Sequence, residues 1–496
     1  MLVGKGALAF VEEQRYVTAM LGLRSLGEGH WQAFLQAINS MGARPGDGLW
    51  RVIPGLGQAM LLLLFNLNPN SPPSLQVPQV FNVLVMSLNA LLLYQIYRCF
   101  FRVGFALLGV ALYSCLVNTN LYLRHLLPYD HALFFFLLAL WLLLKMPEGT
   151  AIRRPWIVGV LSGFSYAVYP GYFMGPAVLL ALVVLLAVTG HFGKKTPSPR
   201  RFLPILAQVA GLITVPVFLQ GLAYVSETSY FASSRYMATT VTQGSFDEGF
   251  SFIGTYFQQV EGWFGIGLLA LAVVGLLLSL GQLWEGRKQR GQQPAASLVV
   301  AGVVVLGFLS WLGYAVLVQV GHWLVFYGRI LHFFIPFVVL GALVALQRLT
   351  QQWLAGPKWL FVGGGVLALW QFGDFVAAYA LVAYPSDVAY DYGIRDARQI
   401  VGIRTTGCDR NVVFYRPFGP RLRNQPTFAT PRYELINFAY LYPLSCYQAI
   451  TADERKVVVS VPYFMKYTPY QFEGHNPSQR ALLQNNGYDF RIVKAD

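Results

Sequence analysis

Between Val80 and Ala383 the chain repeats one pattern, apolar runs of about 16 to 26 residues divided by short polar stretches, near the length a helix needs to cross ~30 Å of hydrocarbon. Lipid offers the backbone no hydrogen-bond partners, so only a structure that satisfies its own N–H and C=O groups can be solvated by it. The runs fall near 79–97, 103–118, 130–146, 156–169, 171–189, 203–224, 263–284, 297–320, 331–347 and 358–383. Only 12% of the residues are charged, against roughly 25% in an ordinary soluble domain. The expected fold is therefore an all-α polytopic membrane protein with about ten transmembrane helices. Tyr169-Pro170-Gly171 divides one long stretch, either into two short crossings or by a kink.

The formal charge of +14 raises the question of nucleic acid, and its placement answers it. Arg98, Arg102, Lys145, Arg153, Arg154, Lys194, Lys195, Arg200, Arg201, Arg287, Lys288, Arg290, Arg348 and Lys358 lie in five loop regions between apolar runs. The loops at 118–130, 225–262 and 321–330 hold one arginine each, Arg124, Arg235 and Arg329. This is the asymmetry of the positive-inside rule, not a basic stripe on a soluble face. With the five basic loops in the cytoplasm the helices alternate without a remainder, and the segments before 79 and after 384 lie outside. The expected setting is multi-pass in the plasma (inner) membrane, with no nucleic-acid partner.

Three regions follow. Residues 1–78 form an outer-face segment with an acidic motif and surface helices. Trp31, Phe34, Leu35 and Ile38 share a helical face suited to a membrane surface, and 52–67 reads as an interfacial or re-entrant helix, with a true crossing as the alternative. Residues 79–383 form the transmembrane domain. Residues 384–496 have soluble composition and are expected to form a small exoplasmic α/β domain, with strands at 412–415, 457–461 and 490–493 and helices at 433–442 and 477–486. Cys408 and Cys446 lie in that tail, where an oxidising compartment would allow a bridge, two free thiols being the alternative; Cys99 and Cys115 read as small apolar residues. Met1 to Val11 is too short an apolar stretch to read as a cleavable signal peptide.

Charge near hydrocarbon is costly and marks function, so polar clusters at outward helix ends carry the candidates. Glu12 and Glu13 precede the surface segment and suit a general base or a metal ligand, or simply a helix N-terminus where acids favour the dipole. Arg124, His125, Asp130 and His131 crowd into eight residues. Arg124 suits a phosphate, and Asp130 with a histidine suits a divalent ion or a proton shuttle, although Asp130 is equally placed as a helix N-cap. Arg329 stands among aromatics in Tyr327-Gly328-Arg329-Ile-Leu-His332 and suits a lipid phosphate or interfacial anchoring. The 225–262 loop, with Glu227, Arg235, Asp247, Glu248 and Glu261, is long enough to be a binding loop, without a diagnostic spacing. Walker, Gly-x-Ser-x-Gly, His-Glu-x-x-His and Cys-x-x-Cys motifs do not occur. Gly363-Gly364-Gly365 suits close helix packing.

Glu12-Glu13-Gln-Arg-Tyr, the surface segments at 31–67, the helix from Phe81 to Arg102, then Arg124-His-Leu-Leu-Pro-Tyr-Asp130-His and Tyr327-Gly-Arg329-Ile-Leu-His-Phe-Phe-Ile-Pro336 follow one another in an order that resembles the GT-C superfamily of membrane glycosyltransferases. The likeness is strongest to the bacterial branch related to protein O-mannosyltransferases and lipid A aminoarabinose transferases. It spans residues 10 to 383. It implies transfer of a sugar from a polyprenyl-phosphate carrier to an acceptor, whether lipid, glycan or protein, on the exoplasmic side. On that resemblance Glu12 or Glu13 is the base and Asp130 a further catalytic residue. Arg124 and Arg329 bind the donor phosphate, and Asp130, His125 and His131 are the candidates for a divalent metal. The family carries a membrane helix before its first acidic loop, and eleven residues precede Glu12 here; glutamate also stands where the family favours aspartate. The alternatives are a lipid-linked-sugar transporter, with more polar residues at mid-membrane depth, and an oligosaccharide polymerase or ligase, for which Glu12 and Glu13 are dispensable.

Overall fold

Over the described residues the apolar runs are helical, one of them with a break, in the computed structural model, which describes residues 23, 25–39, 60–61, 63–65, 76–124, 128–146, 152–188, 202–225, 229–232, 234–235, 249–288, 295–321, 328–353, 357–380, 400–405, 413–415 and 447–451. In chain order these are α1 (Trp31–Asn39), α2 (Gln76–Arg98), α3 (Val103–Ser114), α4 (Val117–Leu121), α5 (Tyr129–Leu144), α6 (Arg153–Val168), α7 (Met174–Val188), α8 (Leu203–Val225), α9 (Gly249–Gln259), α10 (Gly262–Lys288), α11 (Ala295–Gln319), α12 (Gly328–Trp353) and α13 (Pro357–Phe375). Seven helical stretches are long and apolar enough to cross a membrane, those of α2, α7, α8 and α10 to α13, while α3 and α5 are apolar but shorter. The described residues thus make an integral multi-pass helical protein.

Burial sorts these helices by role. Of the apolar window of α12, 89% is buried, against 17% for α13, so α12 is the axis of the bundle and α13 stands at its edge. α2 shows how lipid inverts the usual pattern: Leu84, Leu88 and Leu91 are exposed at helical spacing, while Asn82, Asn89, Leu93 and Ile96 are buried on the other side. An exposed leucine stripe is stable in hydrocarbon, and an asparagine is stable only where protein meets its hydrogen bonds. Phe333, Phe334 and Phe337 of α12 carry the packing, with Phe136 of α5 at 4.8 Å from Phe333 and Trp311 of α11 stacked on Phe334.

Two glycine pairs set the tightest crossings. A Cβ on Gly159 of α6 would run into the Gln208 carbonyl and one on Gly211 of α8 into the Trp156 carbonyl; a Cβ on Gly275 of α10 would run into the Gly341 carbonyl of α12. Small residues here let backbones touch. Gly275→Ala is expected to cost about 1–3 kcal/mol, read as a lower thermal unfolding midpoint in detergent. Gly267, on the same helix with open space around its Cβ position, is the control, and equal midpoints for the two variants would remove the crossing from the account. Of the three consecutive glycines, Gly364 alone meets a neighbour, Leu108.

Several boundaries differ from expectation. The 103–118 run does not continue: α3 stops at Ser114, Leu116 turns extended with φ −68° and ψ 144°, and α4 restarts at Val117. Tyr169, extended at φ −143° and ψ 101°, breaks α6 from a 3-10 turn at Pro170–Tyr172 that leads into α7, so the Tyr-Pro-Gly sequence separates two helices instead of kinking one. In α1, Phe34 and Leu35 are buried but Trp31, expected on the same face, is exposed, with its ring 5.4 Å from that of Phe34; of the 52–67 stretch only Met60, Leu61, Leu63, Leu64 and Phe65 are described. In the tail, β1 (Ile400–Thr405), β2 (Val413–Tyr415) and β3 (Tyr447–Thr451) form an antiparallel sheet in the order β2-β1-β3. The expected strand at 412–415 is β2; the strands at 457–461 and 490–493 and the helices at 433–442 and 477–486 lie outside the described residues, as do Cys408 and Cys446. Cys99 and Cys115 are free thiols, the second buried.

Candidate active site

α2 and the chain leading into α5 run in the same direction: Asn82 Nδ2 donates to the Leu123 carbonyl at 3.4 Å and Asn89 Nδ2 to the Asp130 carbonyl at 2.9 Å, each 41 residues away. This register delivers Tyr129 and Asp130, the first two residues of α5, into the bundle. Asp130 does not cap its helix; the N-cap position is Pro128, without a side-chain cap. The buried carboxylate instead accepts from Asn89 at 3.4 Å and meets His332 Nε2 at 3.2 Å through the same oxygen, Oδ1.

The partner face comes from α12, where Arg329 and His332 lie one turn apart and so project to one side. Arg329 Nη1 donates to the Tyr129 hydroxyl at 2.9 Å, with Cζ 5.8 Å from the ring centroid. Two adjacent residues of α5 therefore meet two same-face residues of α12, about 200 positions later in the chain. An aromatic wall surrounds the contact: Tyr129 packs edge-on against Tyr122 at 5.0 Å and Tyr169 at 4.7 Å, and Tyr169 against Tyr172 at 5.0 Å. The Tyr172 hydroxyl donates to the Arg329 carbonyl at 3.4 Å. Charge pairs and cation–ring contacts shielded from water in this way are stronger than their exposed counterparts.

Behind His332 lies a second buried acid. Glu261, in the turn between α9 and α10, accepts four bonds: from the Val117 and Asn118 N–H groups at 3.0 and 2.9 Å, from Tyr256 at 2.9 Å and from Gln371 of α13 at 3.1 Å. Those two N–H groups open α4 and have no partner within it, so the carboxylate does for this five-residue helix what a cap would do. Burial pushes the Glu261 carboxyl above its usual range, and the bonds from Asn118, Val117, Tyr256 and Gln371 pull it back. Glutamine at 261 would turn an amide NH2 toward donors. Glu261→Gln is expected to lower stability by roughly 2–3 kcal/mol in detergent melts, and an unchanged midpoint would rule out the clamp.

Of the residues singled out by sequence, Asp130 and Arg329 come together, bridged by Tyr129 and His332. His131 is buried with its ring stacked on Phe81 at 5.3 Å. Arg124 ends the 3-10 turn Tyr122–Arg124, and its side chain, like Glu12, Glu13 and His125, lies outside the described residues. Among the described residues no three of His, Cys, Asp and Glu converge to hold a metal ion; Asp130 faces His332 and Asn89. Sequence reasoning gave no role to Asn89, Asn118, Tyr172 or His332. For the two asparagines the available signal was an amide inside or at the end of an apolar run, where it must face protein.

No family model matches the sequence, and no curated protein matches it. Among solved structures, the crystal structure of ArnT from Cupriavidus metallidurans bound to undecaprenyl phosphate is similar at a TM-score of 0.45 and 16% identity, covering 79% of this chain. The chain spans 65% of that structure's length.

Proposed function

We propose that the chain is a GT-C-type membrane glycosyltransferase that moves a sugar from a polyprenyl-phosphate donor to an acceptor on the exoplasmic side of the plasma membrane. The observation that carries this reading is the meeting of Tyr129-Asp130 with Arg329 and His332, segments that the GT-C resemblance picks out separately. They meet at one end of the bundle, together with the starts of α10 and α12 and the end of α13. Arg98, Lys145, Arg153 and Arg348 occupy the other ends of their helices, which by the positive-inside rule is the cytoplasmic side.

In this reading Glu12 or Glu13 takes the proton of the acceptor nucleophile as it attacks the anomeric carbon. The bond to the carrier phosphate breaks, and Arg329, with Arg124, stabilises the charge gathering on the leaving phosphate. Asp130 orients the site through His332. The tail is assigned a part in selecting the acceptor.

The test is release of polyprenyl phosphate from polyprenyl-phosphate hexoses by the full chain in nanodiscs. Replacing both Glu12 and Glu13 with glutamine is expected to slow release by about 10²–10⁴-fold. Release that survives the double replacement would favour a polymerase or ligase. Absence of release together with movement of the intact lipid-linked sugar between leaflets would favour a transporter.

A further inference from the structure

Asn118 is fully buried, and its N–H and both polar atoms of its side chain are engaged. Its N–H goes to Glu261, its Nδ2 donates to the Gly328 carbonyl at 2.9 Å, and its Oδ1 lies 2.9 Å from His332 Nδ1. The carbonyl of Gly328 can only accept, so the amide nitrogen must face it and the amide oxygen must face the imidazole. Nδ1 of His332 is then the N–H nitrogen, and Nε2 is left to share a proton with Asp130 Oδ1 at 3.2 Å. Asn118 can hold this pose only because α4 is anchored, since a helix of five residues does not persist on its own. Glu261 is that anchor, and through Gln371 and Tyr256 it fastens α4 to α13 and α9.

We propose that Asn118 is a positioning residue that fixes the ring orientation and tautomer of His332 against Asp130, with Glu261 as the clamp that keeps Asn118 in register. The effect on turnover rests on the glycosyltransferase reading; the effect on the imidazole does not. Because His332 and Arg329 share one face of α12, a ring that turns away from Asp130 also disturbs the face that presents the arginine.

Full-length protein labelled with 15N-histidine and held in nanodiscs provides the readout. The His332 signals are assigned by their loss in His332→Gln. The parent is expected to show a protonated, hydrogen-bonded Nδ1. Asn118→Leu is expected to lose that signature, and to lower kcat for a polyprenyl-phosphate hexose by about 10–100-fold while KM stays within about twofold. Asn118→Ala is the second variant, with the same expected signature, should the leucine not be recovered folded. Glu261→Gln should broaden or shift the same signal. An unchanged Nδ1 signal in the Asn118 variants overturns the proposal, and so does a lost signal with unchanged kcat. If the parent itself turns over no polyprenyl-phosphate sugar, the glycosyltransferase reading falls, and the Nδ1 signal alone decides whether Asn118 positions His332.

Discussion

Replacing Arg329 with glutamine is expected to lower turnover of a polyprenyl-phosphate sugar by about 10²–10³-fold, the scale seen when one preorganised donor is removed from a developing negative charge. Glutamine ends two bonds short of the Nη1 that now bonds the Tyr129 hydroxyl, so the variant removes both the charge and that bond. Arg329→Lys separates charge from shape. A lysine keeps the cation but not the planar fork that now bonds Tyr129 while lying against its ring, and it should recover part of the rate and little of the affinity for polyprenyl phosphate. Turnover of the glutamine variant within about threefold of the parent would take Arg329 out of the phosphate-binding role and leave it as an interfacial anchor.

Asp130→Asn tests the other half of the contact. The asparagine keeps an oxygen where Oδ1 now accepts from Asn89, so the fold should hold to within about 1 kcal/mol. The variant removes the negative charge that His332 Nε2 faces, and turnover should fall about 10²-fold or more. Asp130→Leu differs in kind: Asn89 keeps its 2.9 Å bond to the carbonyl at position 130, but Nε2 of His332 loses its partner in the bundle, at a cost of roughly 1–3 kcal/mol, and the variant should be recovered in lower yield. Normal turnover in a well-folded asparagine variant would make the pair purely structural.

The helices were legible because hydrocarbon dictates both their length and their composition. Most of their ends fall within about four residues of the apolar runs; α12 continues to Trp353, past the run that ends at 347, and α13 stops at Phe375, short of 383. The break at Cys115-Leu116 was not legible, because Val117 to Leu121 continues an acceptable helix and the reason for restarting there is a carboxylate 144 residues away. Glu261 was visible only as one of several acids in a long loop. Its importance comes from four donors supplied by three other segments, which no local spacing encodes. Asp130 stood out in the sequence as a polar residue at a helix end, but its expected partners were neighbours in sequence, and the histidine it meets is on α12. In the tail, β1 carries Gly402 and Arg404 and β3 carries Gln448, which blurs the Val-rich and aromatic signature that made β2 readable.

The long reach of these bonds also bears on how the chain is made. Asn118 and Asp130 enter the membrane with the first few helices, while Glu261 and His332 are synthesised 143 and 202 residues after them. At roughly 5–20 residues per second, Asp130 is exposed to the insertion machinery for about 10–40 s before its imidazole partner exists. During that interval an unclamped α4 and a carboxylate bonded to Asn89 but not to His332 are what quality control would meet. A ribosome stalled between the codons for α10 and α12 would therefore leave a chain with α4 capped and Asp130 unmatched, a species whose turnover in the membrane reports on the assembly of the site before any sugar is bound.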